Sequence, residues 1–441
     1  MDMKLLTRYF VLFAVLLSPH ILYAQAMRQM MEKDPVTGAS IFRPYFHDES
    51  KNAEMSVGGG RYKPFYISHF GRHGARYYSQ PKSWQHTVDC FEAASSMGAL
   101  TEEGQSLYFA IKTIYDAHEG MYGELTPLGA EEHRGIAERM AGRCRKVFAD
   151  KKRKQVRCVS SVYSRCLMSM ANFTEELSSL APDLEISYLA GKRYNNEYIN
   201  SPIGYDFSNE ADLILDSLKR ADLDPQSLIA LYFNDSQIAA SLVSDPYAFE
   251  MGIYYFWAIS YDLDFLGVDM TSLVPLDQLA KCSAIDNATK YAKVAVSNEF
   301  GKYTRVKGVN LLKDFVAKAD DALQKDSKVA ADLRFAHDSA FLPLCTLLGV
   351  DGYPICTVEE AYKTWNAAEA VPMCSNLQMI FFKGKGDVLV KVLVNEKETV
   401  LRGLAPVQGV FYRWNDIRNM IVGLEDVAYD ANNTKNNQLY E

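Results

Sequence analysis

The chain has 441 residues, 48% of them hydrophobic and 23% charged, with a formal net charge of −8. That much apolar chain can bury a large core, and the length implies two or more folding units, or one domain with a large insertion. An acidic protein is a poor candidate for general nucleic-acid binding, but it can hold an anionic ligand where its cations converge in one cleft.

The first residues read as an export signal. Lys4 and Arg8 make a basic start, Tyr9 to Leu17 is apolar, and Ala24-Gln25-Ala26 offers a small-residue cleavage site. The apolar run is too short to span a bilayer and is broken by Ser18-Pro19-His20. The expectation is an exported protein, periplasmic or extracellular, with no stable membrane insertion. Cleavage removes Lys4, Arg8 and Asp2, one net positive charge, and leaves −9. The eight cysteines (90, 144, 158, 166, 282, 345, 356 and 374) are then in a compartment where disulfides are allowed. They contain no Cys-x-x-Cys pair and do not resemble a zinc site. Their connectivity stays open, plain buried thiols included.

Residues 27–60 form a mixed, polar lead-in that ends in Gly58-Gly59-Gly60, a flexible joint. A β-rich run from Phe65 to Phe70 follows, and it ends in Gly71-Arg72-His73-Gly74-Ala75-Arg76. Turns at strand ends are where α/β proteins place chemistry. Here the glycines let backbone approach a ligand, two guanidinium forks match phosphate oxygens, and the imidazole between them can attack phosphorus.

Helical periodicity covers Leu100 to Glu119 (Leu107, Ile111, Ile114, Tyr115). In Leu125-Thr126-Pro127-Leu128-Gly129, Thr126 is placed to cap a second helix and Pro127 suits its first position. His133 on that helix reads as a packing residue. Lys151 to Lys154 reads as the solvated turn before a strand from Val156 to Tyr163. At the end of that strand, Arg165 opens a helix whose N-terminus favours anions. Residues 185–325 are mainly helical, and Lys192 and Arg193 near their start are candidate substrate contacts.

Sheet returns at Leu333 to His337, where a short apolar strand runs into His337-Asp338-Ser339 and then a helix. Cys374 to Phe382 and Val388 to Val394 read as two late strands, and residues 426–441 as a polar tail. No metal or cofactor is expected, because only eight histidines exist and no close His/Asp ligand cluster appears.

Arg72-His73-Gly74-Ala75-Arg76 together with the distant His337-Asp338 resembles the histidine acid phosphatases, the branch of phytases and multiple inositol polyphosphate phosphatases. The resemblance runs from about residue 64 to about residue 400. It implies a three-layer α/β/α core with a mainly parallel sheet (27–184 and 326–425) and a helical domain inserted at 185–325.

The resemblance also implies roles. His73 is the nucleophile that forms a phosphohistidine, and Asp338 is the proton donor. Arg72, Arg76, Arg165 and His337 hold the phosphate. The implied partner is a small-molecule phosphate ester, first an inositol polyphosphate such as phytate, second a sugar phosphate. A non-catalytic phosphate- or glycan-binding export protein is the rival of a different class, and oligomeric state stays open. Two departures stand out. Tyr78 replaces a proline common in the family, and His337-Asp338-Ser339 replaces the His-Ala-Glu usual in the inositol polyphosphate branch.

Overall fold

The computed structural model describes residues 19–47, 55–384 and 386–424. Most of the expected signal segment and all of the expected tail lie outside them. The helix α1 (Pro19–Lys33) is followed by β1 (Lys63–Arg72), α2 (Lys82–Ser96), α3 (Glu102–Ala117), α4 (Pro127–Arg143), β2 (Gln155–Ser160), α5 (Ser164–Leu180) and β3 (Glu185–Ala190). Five longer helices come next: α6 (Ser208–Asp222), α7 (Pro225–Tyr232), α8 (Pro246–Ser260), α9 (Leu276–Val294) and α10 (Gly301–Ala322). The chain then makes β4 (Val329–Ala336), α11 (Asp338–Leu347), β5 (Asn376–Lys383), β6 (Val388–Val394), β7 (Lys397–Glu398) and β8 (Phe411–Arg413). Among the described residues no helix is long and apolar enough to cross a membrane.

One sheet has the order β3-β2-β4-β1-β5-β6-β7, with β8 on β6. Its first four strands are parallel, and β5 to β8 add antiparallel pairs. Alternation along β1 sends Ile67 into one core with Phe173 and Leu177 of α5. It sends Tyr66 and Phe70 into the other, with Phe315 of α10 and Phe341 of α11. Helices therefore cover both faces, as expected for a sheet with buried parallel strands.

Local signals mark several boundaries. Thr126 accepts from the Gly129 amide at 3.3 Å with Pro127 at the first helical turn, and Thr101 caps α3 in the same way. Helix α9 stops at Val294, because Ala295 is extended.

Two expectations need correcting in detail. Glu185–Ala190 falls inside the stretch read as helical insert, yet it pairs with β2 at the sheet edge. The helical layer also recruits α2 and α3 from before it. Trp84 of α2 stacks on Phe256 of α8 at 4.1 Å, and Phe91 packs on Phe249 at 5.3 Å. All eight cysteines are free thiols, seven of them buried.

The start of α4 is pressed against the turn after β1. A Cβ on Gly129 would lie 2.2 Å from the Ala75 carbonyl oxygen, and one on Gly74 would lie 2.5 Å from the Gly129 carbonyl oxygen. Both obstacles are backbone and cannot swing away. Gly129→Ala is expected to cost about 1–3 kcal/mol or more in urea unfolding. Gly142→Ala, later in α4 with nothing within 4 Å of the new methyl, is expected to be neutral or slightly stabilising. Equal behaviour of the two variants contradicts the close approach.

Candidate active site

Strands β1 and β4 are parallel neighbours with Arg72 opposite Ala336. The residues that follow each strand, His73 and His337, therefore meet at the C-terminal edge of the sheet with ring centroids 5.6 Å apart. The backbone of the turn is fully bonded. Arg72 N–H donates to Ser375 O at 2.7 Å, His73 N–H to Ala336 O at 2.9 Å, and Gly74 N–H to Ser169 Oγ at 3.1 Å. Ala75 N–H donates to Glu132 Oε2 at 2.7 Å and Arg76 N–H to Asp262 Oδ2 at 3.3 Å. Both departures from the family pattern have partners here. Tyr78 N–H, which a proline would lack, donates to His118 Nε2 at 2.8 Å, and Ser339 Oγ accepts from Lys307 Nζ at 3.3 Å.

His73 is 2% exposed, and its Nδ1 lies 3.0 Å from Gly74 O. A carbonyl only accepts, so Nδ1 carries the proton and the lone pair is on Nε2. Burial, then Arg72, Arg165 and Arg76, hold the His73 pKa well below its ordinary value. The surroundings therefore favour the neutral ring.

The three arginines are buried or nearly so, and each keeps unspent donors. Arg72 Nη1 donates to Ile41 O at 2.9 Å and Val371 O at 2.7 Å, while its Nε and Nη2 have no protein partner. Arg76 Nη1 donates to Tyr77 O at 2.9 Å, and its Nε is unpartnered. Arg165 lies over the Tyr163 ring at 4.8 Å, again with an unpartnered Nε. Buried donors of this kind are costly unless an acceptor is supplied. A tetrahedral oxyanion supplies several.

On the other strand, the Ser161 hydroxyl donates to Asn195 Oδ1 at 2.9 Å, so it accepts from His337 Nε2 at 2.9 Å. That leaves His337 Nδ1 as the acceptor facing Arg165 Nη2 at 3.5 Å. Burial and Arg165 lower the His337 pKa to about 3. Asp338 opens α11, and its Oδ1 accepts from the Ser339 amide at 2.9 Å. Burial favours its neutral form, but Arg72, Lys290, His337 and Arg76 outweigh burial and bring the pKa down to about 2.

The six residues expected from the two motifs and from Arg165 thus converge. Lys192 and Arg193 remain exposed, and Arg193 pairs with Glu197 at 2.8 Å. From that segment it is Asn195 that reaches the site. Sequence reasoning missed Ser161, Glu132, Asp262, Lys290 and Lys307, which are single polar residues on separate elements with no local motif. His133 is buried against Phe335 and Phe173. Among the described residues no cluster of three or more His, Cys, Asp or Glu could hold a metal ion.

No family model and no curated protein sequence matches this chain. Solved structures do. The Bifidobacterium longum multiple inositol polyphosphate phosphatase, crystallised with inositol hexasulfate, superposes with a TM-score of 0.71 at 19% identity, over 87% of this chain and 97% of that one. The chain has the phytase fold. A phytase from D. castellii gives 0.64 at 14% identity, over 88% and 84% of the two chains. The Citrobacter braakii phytase gives 0.52 at 11%, over 82% and 98%. The phytase fold accounts for the placement of both histidine motifs at one sheet edge.

Burial also gives the site region a pH liability. The pKa of His69 and His133 is lowered to about 3 and that of His118 to about 4, in each case chiefly by burial, in line with His337. A histidine with a folded pKa below its unfolded value near 6.5 stabilises the fold above that value. It loses this contribution as pH falls towards the folded pKa, at about 1.4 kcal/mol per pH unit per group. The urea midpoint is expected to be clearly lower at pH 4.5 than at pH 7.5. An unchanged midpoint would show that these rings are protonated in the fold.

Proposed function

We propose that the protein is an exported phosphoric monoester hydrolase that works through a phosphohistidine on His73, with inositol polyphosphates such as phytate as its first substrate class. One observation carries this reading. His73 has its proton fixed on Nδ1 by Gly74 O, beside the buried Arg72 and Arg76 and the half-buried Arg165, each with an unpartnered donor.

In the proposed reaction Arg72, Arg76 and Arg165 take the equatorial oxygens of the phosphate and cancel the charge that repels a nucleophile. Nε2 of His73 attacks in line, the ester oxygen leaves, and the imidazole nitrogen carries the phosphoryl group. Dianion charge next to His337 favours protonation of its Nδ1, which then donates to the phosphate. Asp338 hands a proton to the departing alcohol, then removes one from the water that cleaves the phosphohistidine.

Asp338 is ionised in the free enzyme above about pH 2, so its proton must arrive with the substrate. A phosphate monoanion can bring it, because monoanion plus carboxylate has the same protonation as dianion plus carboxylic acid. The second ionisation of a phosphate ester lies near about 6. Above that pH, kcat/KM falls.

The inositol phosphate reading draws on the inositol hexasulfate bound by the Bifidobacterium enzyme, whose sulfates stand in for phosphates. A broad-specificity or sugar-phosphate phosphatase is the second reading, favoured by His337-Asp338-Ser339 in place of His-Ala-Glu. The binding-protein alternative requires the arginines but no reactive His73.

Phosphate release from p-nitrophenyl phosphate and phytate between pH 4 and 7.5, with EDTA present, tests all three. Wild type is expected to be EDTA-resistant and most active below about pH 6. His73→Ala is expected to abolish release, and Asp338→Asn to lower it by about 10²–10⁴-fold. The ratio between substrates separates phytase from general phosphatase, and no release from any protein leaves the binder. Export is checked by fractionating cells and sequencing the mature N-terminus. Cleavage after Ala26 retains Met27 and Met31, both fully buried, and recovery of the uncleaved chain in the cytosol overturns export.

A further inference from the structure

The two ends of the sheet are finished differently. At one, β7 is a two-residue Lys-Glu strand, a short charged edge of the kind that discourages further pairing. At the other, β3 pairs with β2 on one side only, in unbroken register from Gln155–Glu185 to Ser160–Ala190. It reads Glu-Ile-Ser-Tyr-Leu-Ala, with no proline, lysine or bulge. Tyr188 is 54% and Leu189 44% exposed, and they lie on opposite faces of the strand. A parallel strand with both faces this open is unusual, since such sheets are normally covered on both sides.

Charge around β3 is polarised. Asp183 and Glu185 stand at its start, and Lys192 and Arg193 just past its end; all four are exposed. We propose that β3 is the contact through which two copies of this chain pair, antiparallel about a two-fold axis, to form one continuous sheet.

A two-fold axis normal to the sheet reverses strand direction while keeping each face on its own side, so residues of equal parity stand opposite one another. With the axis at Tyr188, the two tyrosines meet at the centre, and the end of each strand that carries Asp183 and Glu185 comes beside the helical turn Lys192–Tyr194 that follows the other strand. The acidic end of each strand thus meets the basic end of the other. The contact is isologous, closes on itself and leaves no open β3 edge for further addition. Asp183 already touches Lys154 at 3.5 Å and Arg193 touches Glu197 at 2.8 Å. Both are exposed pairs of small worth, so either can exchange its partner for one across the axis.

The test is the mass of the full chain in light scattering after size exclusion. Wild type is expected at twice the chain mass. Asp183→Lys/Glu185→Lys makes both ends basic, Lys192→Glu/Arg193→Glu makes both ends acidic, and each variant alone is expected to be monomeric. Mixed in equal amounts, they are expected to form the heterodimer, because every contact is then between opposite charges. Tyr188→Lys places two cations at the axis and is expected to be monomeric. Four results overturn the proposal: monomeric wild type, dimers that survive all these changes, no heterodimer on mixing, or pairing that Tyr188→Lys leaves intact.

Discussion

Three guanidiniums crowd one cradle, two of them buried and Arg165 half-buried, and like charges in a low-dielectric pocket repel strongly. The surroundings of the site follow from that constraint. Asp338 and Asp262 supply opposite charge that both Arg72 and Arg76 feel, and Arg165 is laid over the Tyr163 ring. The arginines in turn remain partly unsatisfied, because their spare donors are what recognises an anion. A site that had paired every guanidinium N–H internally would be more stable and could hold no phosphate. Conflict of this sort at a functional centre is held in place by the structure around it.

What holds it here is a carboxylate arrangement behind the turn. Glu132 accepts the amides of Tyr45 and Ala75, and Asp262 accepts the next amide, that of Arg76. Two acids thus grip successive N–H groups of one loop, from α4 on one side and from the helical layer on the other. Burial raises both pKa values, and for Asp262 the nearby charge of Glu132 adds to the effect. Glu132 is the better solvated by hydrogen bonds, with two amides and the Cys374 thiol at 3.4 Å. Asp262 has one long bond and an unpartnered Oδ1. The helical layer is therefore part of the catalytic scaffold, with Asp262, Asn195, Lys290 and Lys307 all reaching towards the sheet edge.

The legible parts of this protein were those with short-range grammar. Thr126-Pro127 marked the start of α4, β-rich and apolar runs marked β1, β4 and β6, and two motifs at strand ends pointed to the candidate site residues. Other parts left no local trace. Glu132 and Asp262 are isolated acids on helical segments, and only the fold brings them to adjacent amides. Strand β3 was hidden in a helical stretch, because six residues of mixed polarity, five of them exposed, lack the apolar signature of a buried parallel strand. The composite helical layer was likewise invisible, since the stacking of Trp84 on Phe256 joins residues on either side of two core strands.

The electrostatics also decide which proton inventory the chemistry can use. The field that keeps His73 neutral and nucleophilic is the field that keeps Asp338 ionised, since the same arginines act on both. A site with these cations cannot hold a nucleophilic imidazole and a protonated acid independently in the absence of ligand. Phosphate binding changes this, because its negative charge offsets the guanidiniums and raises both pKa values together. For Asp338 the rise is productive, since the carboxyl can then accept and pass on a proton. For His73 it is harmless in the proposed reaction, because Nδ1 is already protonated and bonded to Gly74 while Nε2 would be committed to phosphorus. In the proposed reaction, a His73 Nδ1 proton held against the Gly74 carbonyl lets the substrate's own charge switch on the acid without disarming the base.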